Sequence, residues 1–229
     1  KSKEILSIKS LKKFLNNVFR RKKIHKTALF SSVVPNYQKI LKKILYNLYG
    51  ITLKEIKNKS INKIIKINIK NKNQIGSDRI ANAVGVYKKY STNCIVVDFG
   101  TATTFDIISS KGEYLGGVIV PGIEISSEAL FDYAAKLSKV DLCWPNKVIG
   151  KTTYDGMRSG ILFGYLGQID FLIDKIVEEV RQDDPSFKPV VIATGGLSVL
   201  MLGKSKWIEE HDPDLTLKGL ILLVEKNKK

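Results

Sequence analysis

The run Cys94-Ile95-Val96-Val97-Asp98-Phe99-Gly100-Thr101-Ala102-Thr103-Thr104-Phe105-Asp106 carries the clearest signal in the chain. Cys94 to Val97 is apolar and short, as a buried strand is. It runs into an acid, a glycine and threonines, after which Thr104-Phe105-Asp106-Ile107-Ile108 resumes an extended pattern. A tight turn of this composition gathers backbone N–H groups and hydroxyls below a carboxylate, which suits a phosphate and its cation. Gly100 permits close backbone approach, and Thr101, Thr103 and Thr104 offer hydroxyls. Asp98 is placed to hold a cation directly or through water. A plain hairpin turn has the same composition, so the turn alone leaves both readings open.

Similar junctions lie on either side. Upstream, Gly76-Ser77-Asp78-Arg79 opens a helix carried by Ile80, Ala83, Val84 and Tyr87. In one reading Ser77 or Asp78 caps the helix and Arg79 is a solvated neighbour. In the other, a carboxylate at a helix N-terminus is kept ionised by the dipole and serves as a base. Downstream, Lys111-Gly112 reads as a hairpin tip and Tyr114 to Val120 as a returning strand. Gly116-Gly117 interrupts that strand as a bulge or as a close approach to a ligand. Pro121-Gly122 then begins a helix expected to turn Ile125, Leu130, Phe131 and Leu137 inward. The strand Val190 to Ala193 ends in Thr194-Gly195-Gly196, a turn that either admits a flat ligand or simply joins strand to helix.

The remaining elements frame these junctions. Leu11, Phe14, Leu15 and Val18 share one face of a helix over residues 10–19, and Thr27 to Val34 reads as a strand ended by Pro35. A helix from Pro35 carries Tyr37, Ile40, Leu41, Ile44, Leu45 and Leu48 and stops at Gly50. Residues 51–56 read as a short strand, and Asn58 to Asn73 as a loop with strand character. Gly150-Lys151-Thr152 imitates the end of a P-loop, but Pro145 stands where that motif needs its first glycine. Thr153 starts a long helix with an apolar stripe through Met157, Ile161, Leu162, Tyr165, Ile169, Leu172, Ile173 and Ile176. Asp212-Pro213-Asp214 caps a last helix through Leu215, Leu217, Leu220, Leu222 and Leu223. His25 and His211 stand beside charged residues and read as solvated rather than as catalytic bases.

Composition narrows the function classes. The 229 residues, 44% of them hydrophobic, can build a sizeable core in one large domain or two smaller ones. No apolar run approaches the ~18 residues of a membrane span, and the first residues do not have the pattern of a signal peptide. Cys94 and Cys143 show neither CxxC spacing nor a nearby histidine, which argues against a zinc site or a disulfide framework and for a reducing cytoplasm. The net charge of +16 is concentrated from residue 1 to 73 and includes Arg20-Arg21-Lys22-Lys23. No aromatic pattern interleaves these lysines, so nucleic-acid binding is not the expected main function, although the field favours anionic substrates.

Ser31-Ser32-Val33-Val34-Pro35, Gly76 to Arg79, Asp98 to Thr104, Gly116-Gly117 with Pro121-Gly122, Gly150 to Thr153, and Ala193 to Gly196 follow one another in a fixed order. In that order they resemble the type III pantothenate kinases, of the actin, sugar-kinase and Hsp70 superfamily. The resemblance implies an α/β fold of two ribonuclease-H-like (actin-like ATPase) lobes, each a mixed β-sheet flanked by helices. Residues 1–90 would be what remains of the N-terminal lobe and residues 91–229 the C-terminal lobe. That family opens on a strand and turn of the form Asp-x-Gly-Asn-Thr, which grips ATP phosphates and magnesium. No such segment precedes Ser31, so the N-terminal lobe is expected to be incomplete.

The resemblance further implies ATP-dependent phosphorylation of pantothenate to 4'-phosphopantothenate, the first step towards coenzyme A. Asp78 would be the catalytic base, and Gly76, Ser77, Asp78 and Arg79 would contact pantothenate, with Thr153 adding a hydrogen bond. Gly100 and Thr101 would meet the ATP phosphates, and Gly195 and Gly196 would lie against the nucleoside. Asp98 would bind a monovalent cation, K+ or NH4+, beside the Mg2+ that accompanies ATP. A cytoplasmic homodimer with substrate sites near the subunit interface is implied, with no membrane partner. Ser77 replaces the usual alanine, and Ile69 stands where an aromatic is often found. The alternative is a non-catalytic relative that keeps the fold and acts as a binding or regulatory accessory protein.

Overall fold

A computed structural model describes residues 8–19, 26–30, 35–55, 64–133 and 139–226. Helix α1 (Ile8–Phe19) buries Leu11 and Leu15 one turn apart. These meet Ile44 and Leu45 of helix α2 (Pro35–Tyr49) and Leu53 of strand β2 (Thr52–Glu55) in a small core of their own. Strand β1 (Thr27–Phe30) pairs in parallel with β2, Thr27 opposite Thr52. Gly50 ends α2 with φ +62, its N–H donating to the Tyr46 carbonyl at 2.9 Å. That left-handed stop is the reason glycine stands there. Ser31 to Val34, His25, the Arg20–Lys23 run and Leu137 lie outside the described residues.

The rest of the chain is built on one six-stranded mixed sheet. Its strands are β3 (Lys66–Ile67), β4 (Cys94–Phe99), β5 (Ala102–Ile108), β6 (Glu113–Pro121), β7 (Val190–Thr194) and β8 (Glu210–His211). Their order across the sheet is β3-β6-β5-β4-β7-β8. β4 is central, antiparallel to β5 and parallel to β7, and β7 is parallel to β8. This is the α/β architecture expected, a mixed sheet with helices on both faces. β4 reads as an unbroken apolar run because both its faces are covered. Ile95, Val97 and Phe99 pack against the long helix α5 (Thr153–Asp183), through Leu162, Tyr165, Ile169 and Ile173. Cys94 and Val96 face helices α3 (Ser77–Tyr90) and α6 (Leu215–Lys226), through Ala83, Val84, Leu215 and Leu223.

α3 and α6 cross closely enough that a Cβ on Gly219 would lie 1.8 Å from the Ala81 carbonyl oxygen. The last helix therefore locks the helix that carries the Asp78 turn onto the sheet. Ile65 and Ile67, like α3, belong to this core although they precede residue 91. Ile69 packs half-buried against the same face.

Three local expectations are revised. Helix α4 (Ile123–Tyr133) buries Ile123 and Ser127, whereas Ile125, Leu130 and Phe131 stay 40–42% exposed. Only one edge of α4 reaches the sheet, so these side chains, spread around the rest of the helix, are left uncovered. Leu217 of α6 is likewise exposed, because Leu215, Gly219 and Leu223, four residues apart, form the buried row. His211 is half-buried, and its Nε2 lies 2.9 Å from Ser198 Oγ rather than facing solvent alone. Of the two roles left open for the paired glycines of β6, the bulge is seen, and the close approach at Gly117 is to the protein itself, the Phe105 backbone and Arg79. A register shift at Ile107/Ile108 makes a bulge at Gly116 (φ +138), while Gly117 admits close neighbours.

Candidate active site

Gly76 holds the N-cap position of α3 and contributes no capping side chain. Asp78, in the first turn, accepts the Arg79 backbone N–H at 2.8 Å through Oδ1. A Cβ on Gly76 would lie 2.4 Å from that oxygen, so the glycine makes room for the carboxylate.

Arg79 is not a solvated neighbour. Its Nε donates to Asp106 Oδ1 at 2.8 Å, and its Nη2 lies 2.7 Å from the same oxygen. The second contact is an ion-pair distance without hydrogen-bond geometry, since Nη2 is buried and otherwise unpartnered. Asp106 is fully buried and also accepts the Tyr114 hydroxyl at 2.6 Å and, at 3.4 Å, the Thr104 hydroxyl. Burial pushes the Asp106 carboxyl up to about 6, against the pull of Arg79 and Tyr114. Burial and the Asp106 charge both push the Tyr114 phenol up. Burial alone would lower Arg79, but Asp106, Tyr114 and Asp78 together outweigh it and the guanidinium is held more firmly protonated.

Asp98 sits at the end of β4, one strand from this group. Asn82, fully buried four residues after Asp78 on α3, donates Nδ2 to Asp98 Oδ2 at 2.9 Å. The Asn82 Oδ1 accepts the Thr216 hydroxyl of α6 at 2.7 Å, which fixes the orientation of the amide. Burial raises the Asp98 carboxyl and the Asp78 charge raises it further, while Asn82 counters both. Two neighbouring glycines border Asp98 Oδ1. A Cβ on Gly195, whose φ is +89, would approach that oxygen to 2.5 Å, and one on Gly100 to 4.0 Å.

The β4–β5 turn presents Gly100 and an exposed Thr101, whose carbonyl accepts the Gly122 N–H at 3.0 Å. Thr103 instead points into the core and shares a hydrogen bond with the Tyr165 hydroxyl of α5. Gly196 is exposed, with nothing within 4 Å of where its Cβ would stand, and lines a cavity of about 390 Å³. Glu124, Ser127, Lys139, Leu197 and Leu200 are among its walls. Beneath that turn the Ser198 hydroxyl donates to the Gly195 carbonyl at 2.6 Å and meets His211 from the other side.

The family model for type III pantothenate kinase matches residues 1–175 of this chain. The chain belongs to the type III pantothenate kinase family. It is 45% identical over 196 residues to the type III pantothenate kinase of Streptomyces avermitilis, covering 86% of this chain and 73% of that protein. It is also 45% identical over 207 residues to that of Finegoldia magna, covering 89% and 76% respectively. Its fold is shared with the crystal structure of a conserved Baf family protein from Campylobacter jejuni. The TM-score there is 0.58 at 22% identity, over 95% of this chain and 88% of the other.

Of the residues that the pantothenate kinase motifs single out, the structure joins most through named contacts. Asp78 and Arg79 share a helix with Asn82, and Asn82 joins them to Asp98, with Gly100 and Gly195 at its side. Thr153 stands exposed at the first position of α5 and makes no side-chain hydrogen bond among the described residues. Its neighbour Thr152 is the N-cap, with Oγ1 accepting the Asp155 N–H at 3.1 Å. Sequence reasoning missed Asp106, Asn82, Tyr114 and Thr216. The spacing signal was present for two of them. Asn82 falls one turn after Asp78 on the same helical face, and Asp106 alternates with Thr104 along β5.

Among the described residues no cluster of three or more His, Cys, Asp or Glu side chains converges. Asp98 thus offers a single carboxylate surrounded by backbone. That donor set fits a loosely held monovalent cation better than a divalent cage, which asks for several carboxylates.

Proposed function

We propose that this protein transfers the γ-phosphoryl group of ATP to the hydroxyl of pantothenate. The observation that carries the reading is one line of contacts, from the Asp78 turn through Asn82 to Asp98 and the Gly100 and Gly195 turns. It puts a carboxylate at a helix N-terminus within electrostatic reach of a second carboxylate bordered by two bare-backbone turns. Phosphoryl transfer asks chiefly for positioning and charge neutralisation, with a carboxylate to take the hydroxyl proton. Asp78 is that base, and Gly76, Ser77 and Arg79 bind pantothenate with Thr153. Gly100 and Thr101 face the phosphates of ATP. Gly195 and Gly196 lie against the nucleoside, for which the cavity beside Gly196 leaves room.

The family assignment favours this kinase over an accessory protein. Asp98 Oδ1 is the oxygen available to K+ or NH4+, and Mg2+ would neutralise the phosphate charge. A homodimer is supported by exposed apolar side chains on α4, Ile125, Leu130 and Phe131, some of which a second copy would cover. A cytoplasmic location agrees with two free cysteines. Among the described residues no helix is long and apolar enough to cross a membrane.

The test is ADP release from ATP and Mg2+, with and without pantothenate and K+. It is run on this chain and on the chain preceded by the Asp-x-Gly-Asn-Thr strand of a relative. Pantothenate-dependent release, increased by K+, is the expected result. Release from neither chain, with both folded, overturns the reading.

A further inference from the structure

We propose that Asp106 is the positioning residue for Arg79, fixing which edge of the guanidinium is left to receive the carboxylate of an anionic substrate. This rests on the pantothenate kinase reading, in which Arg79 contacts pantothenate, itself a carboxylate. A guanidinium presents its donors in a rigid planar fork. Here Nε donates to Asp106 Oδ1 at 2.8 Å and Nη2 stands 2.7 Å from the same oxygen as an ion pair, so this edge of the fork is turned to the protein. Nη1 lies on the opposite edge and makes no hydrogen bond to the described residues.

The orientation is held from three further directions. Gly117 presents bare backbone to the guanidinium, and a Cβ there would lie 2.4 Å from Nη2. The Arg79 Cζ stands 6.0 Å from the centroid of the Tyr114 ring. Asp106 is itself pinned by the Tyr114 hydroxyl at 2.6 Å and by Thr104. A buried ion pair adds little net stability over an apolar replacement of the same volume. Orientation is what this pair supplies to an arginine at the mouth of the Asp78 turn.

The experiment compares wild type, Asp106→Asn and Tyr114→Phe. Each is assayed by steady-state kinetics and by calorimetric binding with pantothenate and with pantothenol, its neutral alcohol analogue. Asp106→Asn should raise the KM and Kd for pantothenate about tenfold or more, the scale of a charge-assisted hydrogen bond lost or misaimed. It should leave the KM for ATP and the binding of pantothenol unchanged. Tyr114→Phe, which keeps the ion pair and loosens Asp106, should give a smaller loss confined to pantothenate, and it decides the matter if Asp106→Asn does not fold. Equal losses for both compounds, or weaker folding with unchanged pantothenate binding, overturn the proposal. If wild-type enzyme turns over pantothenate but does not prefer it to pantothenol, the kinase stands and the role of Asp106 falls. If wild type neither binds nor turns over pantothenate, both fall together.

Discussion

Asn82 and Asp98 are joined by a single hydrogen bond, Nδ2 to Oδ2 at 2.9 Å, across the gap between α3 and the end of β4. Because Thr216 holds the other end of the amide, the last helix takes part in aiming a carboxylate more than a hundred residues earlier in the chain. Asn82→Leu keeps the volume and removes both bonds. It leaves Asp98 desolvated without its donor, which costs about 1–3 kcal/mol. Urea unfolding should show a lower midpoint with an unchanged slope, and an unchanged midpoint would mean the relay contributes nothing net.

Gly195 and Gly196 are adjacent, yet substitution should separate them. Gly195→Ala demands a Cβ at φ +89 and 2.5 Å from Asp98 Oδ1, with Phe99 backbone atoms at 2.6 and 2.7 Å. It should destabilise the fold by more than about 1 kcal/mol. Gly196→Ala meets no atom within 4 Å and should keep the melting temperature while weakening ATP binding beside the cavity. Thermal melts and ATP titrations of the two variants check the contrast. Equal melting temperatures would show that the Gly195 turn yields freely.

The strands around Asp98 were legible in the sequence because β4 is buried on both faces and β5 resumes an extended, largely buried run after the turn. Thr153 was legible as the first residue of α5, since a capping threonine precedes a long apolar stripe. The inward face of α4 was misread for a physical reason. Ile125, Leu130 and Phe131 are apolar side chains that the chain's own sheet does not cover, and apolar composition does not tell a core from a contact surface. The reading of Arg79 as solvated fails because its partner, Asp106, lies on another strand, and pairing at that separation leaves no local spacing to find. His211 hid for the same reason, its partner Ser198 sitting beyond β7.

The Asp106 carboxyl, lifted by burial to about 6 from a usual value of 3.8, gives a signed pH dependence. Between those values the folded protein holds a proton at this site that the unfolded chain has released, so stability falls as pH rises. At roughly 1.4 kcal/mol per pH unit the loss amounts to at most roughly 3 kcal/mol. Wild-type stability minus that of Asp106→Asn should therefore shrink from pH 4 to pH 6 and level off above. Chemical denaturation at half-unit pH steps measures it, and a difference that widens over this range contradicts the assigned direction.

Asp78→Asn tests the base with the smallest structural disturbance. The amide oxygen can still accept the Arg79 N–H at the N-terminus of α3, so the helix start keeps its hydrogen bond. What disappears is the negative charge able to take the hydroxyl proton from pantothenate. Removing the Asp78 charge also relieves Asp98, whose carboxyl it raises, so binding of a cation there should not suffer. Turnover should fall by about 100-fold or more, the usual worth of a positioned base. The melting temperature and the ATP dissociation constant should stay close to wild type. Wild-type-like turnover in a folded Asp78→Asn enzyme would remove Asp78 from the role and turn attention to the remaining carboxylate of the line, Asp98.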